Sequence, residues 1–473
     1  MKRRTKEYNY DWMEKSTFGI GATLFNGTPK EIAATIGLVP TFEPVLQTIV
    51  KSGEVGRLFC LVADDYMDRM MHAHERGKKL VLTTFLASNL LFDCFDGLEH
   101  CMAEPVTGYA SLAFRQCNYE YFDYGCEVGL TETSCSAQRG SVGAFLAGLM
   151  ASGKPDLCVV GSEGPCDTNC NSMQFYADYA KIPLITLDTP PTLVDGRVED
   201  FQLRDLENMI EQVEKITGAR FNEDKLRELL TENKKQTVML GEICEMCRLI
   251  PNPVSAINTL FSIAAHITHS GTKLYTSLLE EVLRLAKLNA KAGRAGTYSG
   301  KEKTRLFMCY IDHFTTDAQF YEWAMSNDIS LLINMVFAFW AEGAPYGAGL
   351  EDECYTTDTS SRESMLRTLA AANAHMPMNK QLRGPWDAKG QWLSDTKGLA
   401  KLTKPDYVNY AGTLGCRNSW SVNKLIQREM ENLGLPCMIT FADVFDERPK
   451  SWEQVKREME EFMAVRTPGR KVA

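Results

Sequence analysis

The sequence has no basic surplus and no long apolar run. Lys and Arg number 51 against 61 Asp and Glu among 473 residues, which gives a net charge of −10. Nucleic-acid-binding proteins usually carry a basic surplus, so we do not expect this chain to bind nucleic acid. The longest apolar run, Leu331–Trp340, reaches about half of a membrane span, and no apolar segment follows the basic N-terminus. We therefore expect a cytoplasmic protein without a membrane segment.

Familiar nucleotide and zinc-enzyme motifs are also missing. No Gly-x-x-x-x-Gly-Lys-Ser/Thr occurs, so any ATP-driven step would need a separate protein. The segment GIGATLFNG (19–27) contains Gly-x-Gly, but no predicted strand precedes it, which argues against a dinucleotide-binding loop. Only seven histidines are present and none forms His-Glu-x-x-His, so a histidine-based zinc enzyme is not supported.

What the chain does have is 15 cysteines. An odd number in a large chain of this kind argues against a disulfide framework. Because free cysteine is among the most buried residue types, most of these residues are expected to fill the core. The open question is whether a few of them converge on a metal.

The order of predicted elements indicates an α/β protein. From Lys79 on, short β-rich runs alternate with amphipathic helical stretches, which is typical of parallel βαβ units. These runs are 79–85, 157–161, 183–187, 304–311, 329–336, 406–410 and 436–441. Residues 202–295 are instead strongly helical. The predicted organisation is a helical N-terminal extension (1–78), a first α/β half (79–201), a helical bridge (202–300) and a second α/β half (301–473).

An internal repeat supports two similarly built halves. KPDLCVVGSEGPC (154–166) and KPDYVNYAGTLGC (404–416) both begin with Lys-Pro-Asp, continue into a predicted strand and end in cysteine. Each is followed by a predicted helix and by a second strand that starts at a proline. Open α/β sheets bind ligands beyond the carboxyl ends of their strands. Cys166 and Cys416 are therefore expected at a cleft that the two halves share.

Cys135 has a comparable setting. It lies in TETSCSAQRG (131–140), just before an amphipathic helix, where free N–H groups and the helix dipole stabilise a thiolate. Three thiolates from three loops, without an obvious fourth ligand, would leave one coordination position open, as in a catalytic metal centre. Thiolate ligation favours zinc or an iron–sulfur cluster. The alternative is that Cys135, Cys166 and Cys416 are three buried structural residues.

The remaining cysteines are weaker candidates. Cys244 and Cys247 form a Cys-x-x-Cys inside a predicted helix, where core packing is the more common role. Cys170 is expected in the core as well. Four more lie in the 90–130 region without ferredoxin spacing, so a structural role is expected, with a second cluster as the alternative. These four are Cys94, Cys101, Cys117 and Cys126.

Four segments carry one resemblance: TETSCSAQRG, Pro165–Thr168, KIPLITLDTP (181–190) and the block from GTLGCRNSW to SWEQVKREMEEF (412–462). Together they resemble one enzyme superfamily, that of the 2-hydroxyacyl-CoA dehydratases and benzoyl-CoA reductases. The resemblance implies two flavodoxin-like parallel-sheet halves that face a shared cleft. It also implies one 4Fe-4S cluster between them, held by three cysteines, with an open fourth iron. Carried onto this sequence, the ligands are Cys135, Cys166 and Cys416.

The resemblance also implies a reaction and its partners. The chain would be the larger, cluster-bearing subunit of a heterodimer, paired with a second subunit of the same family. A separate ATP-hydrolysing iron–sulfur activator would supply an electron at low potential. In the dehydratases, that electron converts the thioester carbonyl of a 2-hydroxyacyl-CoA to a ketyl radical anion, which loses hydroxide and a proton and returns the electron, giving the 2-enoyl-CoA. Benzoyl-CoA-type ring reduction is the runner-up, and a non-catalytic iron–sulfur electron-transfer subunit is a third alternative.

Three further positions are carried over as catalytic candidates. Thr83 and Thr84 fall where the family often places a hydroxyl near the cluster, and two ordinary strand residues are the alternative. Glu104, in HCMAEPVTG (100–108), corresponds to a family carboxylate at the substrate, with a solvated surface glutamate as the alternative. Members of the superfamily with a double-cubane cluster add cysteine pairs in the second half. This second half contains no Cys-x-Cys, so the resemblance implies a single cluster.

Overall fold

The computed structural model describes residues 48–85, 89–113, 115–147, 154–161, 166–188, 197–309, 318–333, 335–342, 355–374, 376, 378–379 and 392–469. Of the predicted N-terminal extension, residues 1–47 lie outside this part of the chain, and the remainder contains helix α1 (Glu54–His72). None of the described helices is long and apolar enough to cross a membrane.

The described residues form ten strands in three sheets. The strands are β1 (Lys79–Thr83), β2 (Phe95–Asp96), β3 (Leu98–Met102), β4 (Leu157–Gly161), β5 (Leu184–Leu187), β6 (Arg220–Phe221), β7 (Thr304–Cys309), β8 (Ile329–Leu331), β9 (Tyr407–Thr413) and β10 (Cys437–Ala442). The helices after α1 are α2 (Ala103–Ala113), α3 (Arg115–Val128), α4 (Ser136–Ala147), α5 (Asp167–Ala180), α6 (Arg197–Thr217), α7 (Glu223–Met246), α8 (Ala256–His269), α9 (Lys273–Lys291), α10 (Ala318–Ser326), α11 (Met335–Trp340), α12 (Arg362–Ala374), α13 (Trp392–Thr403), α14 (Arg417–Trp420), α15 (Asn423–Asn432) and α16 (Trp452–Val465).

The two larger sheets have the same strand order. The first is β3–β1–β4–β5 and the second is β8–β7–β9–β10, and all neighbouring strands are parallel. If the four strands of each sheet are numbered in chain order, both sheets have the strand order 2-1-3-4. The predicted α/β class, with two parallel sheets, is therefore confirmed. β2 and β6 form a separate antiparallel pair, and α6 to α9 occupy the predicted helical stretch.

Helices cover both faces of the first sheet, which explains the continuous apolar run in its strand β1. Leu80 and Leu82 of β1 pack with residues of α1, α4 and α5. Val81, between them, points to the opposite face and packs with residues of α6, α7 and α12. Because neither face of the strand is solvated, KLVLT shows no alternation of apolar and polar residues.

The Lys-Pro-Asp repeat has a structural basis in both sheets. The carboxylate of Asp156 accepts a hydrogen bond from the Leu80 amide at 2.9 Å, and that of Asp406 accepts one from the Arg305 amide at 2.9 Å. In both cases the aspartate precedes the third strand, β4 or β9, and binds the first strand, β1 or β7, of its own sheet. The repeat thus marks equivalent positions in the two sheets, as predicted.

Two parts of the strand prediction differ from the structure. The predicted strand at 329–336 ends at Leu331, and helix α11 begins at Met335. The described apolar residues of this run are buried on both sides of the change from strand to helix, so an apolar run alone does not distinguish the two. Strand β3 was not predicted because it contains Glu99 and His100; Lys78 binds Glu99, which allows that carboxylate to be buried.

Candidate functional site

The three cysteines singled out by sequence all lie at helix N-termini. Cys135 immediately precedes α4, and Cys166 and Cys416 are the N-cap residues of α5 and α14. Each sulfur faces a backbone amide of its own first turn, which belongs to Ala137, Asn169 and Ser419, respectively. These amides and the helix dipoles favour negative charge on sulfur.

The three thiols also lie near one another. Burial, together with Asp443 and Cys416, raises the pKa of the Cys135 thiol. Burial, together with Cys416 and Cys135, raises the pKa of the Cys166 thiol. Because such mutual effects require proximity, loops of the first sheet and of the second sheet bring these sulfurs to one place.

Gly415 shows how closely the loops approach. Its φ of +80° lies in the left-handed region, and a Cβ built on it would be 2.3 Å from the Thr133 carbonyl oxygen and 2.8 Å from the Cys135 amide nitrogen. The Thr168 hydroxyl also reaches the Gly415 carbonyl at 3.5 Å. The loop before Cys416 therefore packs backbone to backbone against the loop before Cys135, and only glycine fits.

Charged contacts join the same two parts of the protein. The guanidinium of Arg139 lies 3.5 Å from Asp446 and 3.9 Å from Asp443, and all three side chains are buried. The Ser136 hydroxyl donates to Asp443, whose pKa is raised by burial. Nearer the surface, Arg448 binds Asp123 at 2.8 Å, and Arg417 binds Asp167. We call this contact region, around α4 and the segment 443–448, the seam.

Glu104 is not a solvated surface residue, and that alternative reading is wrong. Both carboxylate oxygens accept from the Phe85 amide at 3.1 Å, and one accepts from the Gln138 side-chain amide at 2.9 Å. Asn169 also donates to it, and burial raises its pKa while these donors oppose the rise. Since Asn169 also donates its backbone N–H to Cys166, Glu104 lies next to the cysteine site.

Thr83 and Thr84 are both fully buried at the end of β1. The Thr83 hydroxyl donates to the Asn89 side chain, and the Thr84 hydroxyl accepts from the Gly161 amide at 3.1 Å. These bonds fix the segment that leads to Phe85. Any catalytic role for the two hydroxyls stays a prediction.

Several other cysteines are core residues. Cys101 and Cys170 pack in the core on one face of the first sheet, whereas Cys94 packs in the core on the other. Cys244 is a fully buried residue of α7, and Cys247 is the C-cap of that helix. Cys117 has no described side chain. All cysteines with described side chains are free thiols.

The donor set at this site is three thiols, which is a ligand set that iron–sulfur clusters use. Among the described residues, no three His, Cys, Asp or Glu side chains are arranged to hold a metal ion. In a cubane, each thiolate binds its own iron, so the ligand sulfurs stand further apart than around one ion. Hydrogen bonds from backbone amides to sulfur are the outer contacts that such clusters use. A bound metal also deprotonates a coordinating thiol, despite the raised pKa of the metal-free thiol.

Two residues near Glu104 escaped prediction. Gln138 and Asn169 are buried and donate to its carboxylate, while their own side-chain oxygens have no hydrogen-bond partner. Each stands three residues after a site cysteine, in the first turn of the following helix. That shared spacing, Cys-x-x-Gln and Cys-x-x-Asn, is the signal by which they could have been found.

Two parallel sheets whose loops bring three thiols together define an α/β protein with a cysteine site between two similar halves. The family model 2-hydroxyglutaryl-CoA dehydratase, D-component, matches residues 87–464. The chain therefore belongs to this family, and the resemblance to the dehydratase and benzoyl-CoA reductase superfamily is confirmed.

Three relatives show the range of that superfamily. A benzoyl-CoA reductase subunit of Thauera aromatica is 26% identical over 220 residues, covering 44% of this chain and 49% of the relative. The (R)-phenyllactyl-CoA dehydratase alpha subunit of Clostridium sporogenes is 23% identical over 247 residues, covering 50% of this chain and 58% of the relative. The (R)-2-hydroxyglutaryl-CoA dehydratase alpha subunit of Acidaminococcus fermentans is 26% identical over 149 residues, covering 30% of this chain and 31% of the relative. The matches thus span between 31% and 58% of the length of these relatives.

Proposed function

We propose that this chain is the larger, cluster-bearing subunit of an ATP-activated, radical 2-hydroxyacyl-CoA dehydratase. The observation that carries the proposal is the meeting of Cys135, Cys166 and Cys416, each at a helix N-terminus, across the seam. Family membership supports an acyl-CoA enzyme, and names of relatives include two dehydratase subunits. The shared strand order supports two flavodoxin-like halves, because that fold has the order 2-1-3-4-5.

The cysteines and Glu104 would have separate roles, in electron transfer and in proton transfer, respectively. Cys135, Cys166 and Cys416 would hold one 4Fe-4S cluster, which supplies one-electron reduction of a thioester carbonyl when its fourth iron is open. Glu104 would move the proton, since its raised pKa suits a group that donates to a departing hydroxyl. Gln138 and Asn169 hold that carboxylate in place. Water leaves from the 2-hydroxyacyl-CoA and the electron returns, so the overall reaction needs no net oxidant or reductant.

A benzoyl-CoA-type reductase is the second candidate. The benzoyl-CoA reductase relative matches at an identity close to that of the dehydratase relatives, which supports ring reduction as the second candidate reaction. The reactions differ in electron balance, because ring reduction consumes two electrons for each product molecule and dehydration consumes none. Electron consumption per product therefore distinguishes them.

Iron analysis of cysteine variants tests the cluster. We expect Cys135→Ser, Cys166→Ser and Cys416→Ser each to lower iron content severely, because serine is a harder and poorer ligand. A second substitution should add little, since three ligands of one cluster act as a unit. Cys244→Ser is the matched control, because Cys244 is buried in α7, and it should keep its iron.

The measurement is iron and sulfide per chain in folded protein purified without air. Full iron in the Cys416→Ser protein would remove the third ligand and contradict the proposal. A stoichiometric zinc content, stable in air and lost in the same three variants, would instead support the zinc alternative.

A further inference from the structure

Two buried oxygen atoms beside Glu104 lack a hydrogen-bond donor. They are Oε1 of Gln138 and Oδ1 of Asn169, and neither has a partner among the described residues. The two residues are only 3% and 1% exposed, so bulk water does not satisfy these oxygens. Nearly all buried polar atoms in folded proteins are hydrogen-bonded, and each exception calls for a physical reason, such as a catalytic role or a bound small molecule.

Both oxygens lie next to the Glu104 carboxylate. The carboxamide nitrogen of Gln138 donates to it at 2.9 Å, and the Asn169 side chain donates to it as well. The oxygen and the nitrogen of a carboxamide share one carbon, so each oxygen lies on the order of 2 Å from an atom that contacts Glu104. Glu104 itself is half-buried. One carboxyl group that is not enclosed in the core is therefore flanked by two acceptors without donors.

The proton that Glu104 carries when neutral does not satisfy both oxygens. A protonated carboxyl group has one O–H, which serves one acceptor at a time. The amide groups of Phe85, Gln138 and Asn169 already donate to this carboxyl group. The two acceptors therefore suit a bound group that brings its own O–H donors. A hydroxyl group brings one such donor, and a water molecule brings two.

We propose that Glu104, Gln138 and Asn169 form the subsite for the hydroxyl group that leaves the substrate as water. The inference rests on the proposed function in its dehydratase form, because ring reduction releases no hydroxyl group. In the bound substrate, the hydroxyl group donates its O–H to one carboxamide oxygen and accepts from the Glu104 carboxyl group.

The step balances in protons and electrons. The bond between C2 and the hydroxyl oxygen breaks, its electron pair stays on the oxygen, and Glu104 transfers its proton to that oxygen. The products at this subsite are a water molecule and the Glu104 carboxylate. The electron that weakens the bond comes from the low-potential iron–sulfur donor and is returned later, so the subsite itself exchanges only a proton.

The two oxygens would act most strongly as the bond breaks. The second O–H exists only once the proton has been transferred, so the second acceptor is engaged only as water forms. Interactions that strengthen in the transition state raise the rate, whereas equal binding of ground state and transition state does not. A substrate analogue without the O–H leaves both acceptors unpaired, which lowers its affinity.

Binding of two acyl-CoA probes tests the subsite. 2-Hydroxybutanoyl-CoA and 2-oxobutanoyl-CoA share the CoA part, the carbon chain and an oxygen on C2. Glu104 can donate to either oxygen, but only the hydroxyl group can donate to Gln138 or Asn169. We expect calorimetry on the air-free protein with its partner subunit, without ATP and activator, to give a dissociation constant about 10-fold lower for the hydroxy probe.

Two variants test the assignment to residues. In Gln138→Met and Asn169→Leu, the acceptor oxygen is replaced by apolar atoms of similar size, and we expect the preference for the hydroxy probe to fall to less than about 3-fold. If the two side chains only position Glu104, both probes should weaken together and the preference should stay.

Gln236→Met is the matched control. Gln236 is also buried, but its oxygen accepts from the Gly271 amide at 2.8 Å and its nitrogen donates to the Thr272 carbonyl at 2.8 Å. This variant breaks more hydrogen bonds of the protein than the other two do, and it should still keep the 10-fold preference.

The outcomes separate the two proposals. Equal affinities of the unmodified protein for both probes, or an unchanged preference in Gln138→Met and Asn169→Leu, would overturn the subsite and leave the proposed function standing. If the variants do not fold, the comparison of the two probes on the unmodified protein still decides. Failure of the unmodified protein to bind either acyl-CoA would contradict both proposals.

Discussion

Glu104 holds its carboxylate among amide donors that are distant in sequence. Gln138 is 34 positions away, and Phe85 and Asn169 come from two other segments. The family resemblance identified position 104, but local sequence left a solvated glutamate open, because a short pattern does not show what covers a side chain. The shared spacing of Gln138 and Asn169 after a site cysteine marks them as a pair, but it does not show that helices α4 and α5 point at one carboxylate.

His266 gives a prediction at the same scale. It is buried, stacks on Trp340 and contacts the Tyr275 hydroxyl at 3.2 Å. Burial lowers the pKa of His266 to about 3, below its value of about 6.5 in the unfolded chain. The unfolded state therefore binds the proton more readily, so this contribution to stability is complete above about pH 6.5 and is lost as the pH falls toward 3.

We expect His266→Phe to flatten the pH dependence of unfolding. The free energy of unfolding of the unmodified protein should fall between pH 6.5 and 5 by up to about 1.4 kcal/mol per pH unit more than that of the variant. Tyr275→Phe, which keeps the imidazole, should keep the steeper dependence. Urea unfolding at several pH values measures this, and equal slopes for His266→Phe and the unmodified protein would contradict the buried neutral imidazole.

Elements were predicted most reliably where the sequence repeats itself. Lys-Pro-Asp predicted two equivalent strands, and Asp156 and Asp406 make the same backbone contact in the two sheets. One short apolar run and one mixed run were predicted less well. The run from Ile329 ends as helix α11, and β3 is a buried strand despite its charged residues, because tertiary packing decides both cases.

The packing of α4 on α3 provides a prediction for elements. A Cβ on Gly143 of α4 would lie 2.0 Å from the Tyr121 carbonyl oxygen of α3, so Gly143→Ala would push the two helices apart. We expect a loss of stability of about 1–3 kcal/mol or more, because the obstacle is backbone and cannot rotate away.

Gly108→Ala in helix α2 is the matched control. Its Cβ would meet the Phe445 ring at 3.6 Å, an ordinary contact, and alanine favours a helix by about 1 kcal/mol over glycine. Thermal unfolding of both variants decides the matter. If Gly143→Ala were as stable as Gly108→Ala, the close approach of α3 and α4 would be wrong.

At the scale of the whole molecule, the seam connects the two sheets through buried charge. Arg139→Met would remove the guanidinium beside the buried Asp443 and Asp446 carboxylates. Because Asp446 keeps Arg448 at 2.8 Å, we expect a loss of about 1–3 kcal/mol. Arg428→Met is the control, because Arg428 is 70% exposed and lies 4.0 Å from Glu429. That change should cost less than about 1 kcal/mol. Chemical unfolding that gives equal losses for both variants would contradict a structural role for the seam.

Turnover should require more than this chain. Because the sequence has no Walker-type motif, we expect the purified chain alone to show no ATP-dependent dehydration, and activity to appear only with a second subunit of the family and an ATP-hydrolysing activator. Product formation from an acyl-CoA with each component omitted in turn measures this. Sustained turnover by the single polypeptide would disprove the subunit assignment.

The contact between Gly415 and Thr133 also implies an order in which the cysteine loops come together during synthesis. The loops with Cys135 and Cys166 leave the ribosome long before the loop with Cys416. Asp167 and Arg417, which form an ion pair between these loops, are 250 positions apart in the sequence. N-terminal parts of a chain generally fold first during synthesis. The backbone of Gly415 can dock on Thr133 only after nearly the whole chain has emerged, so the three thiols assemble last. Nascent chains halted before residue 415 would therefore display two of these thiols without the third, so a cofactor that needs all three could bind only late in synthesis.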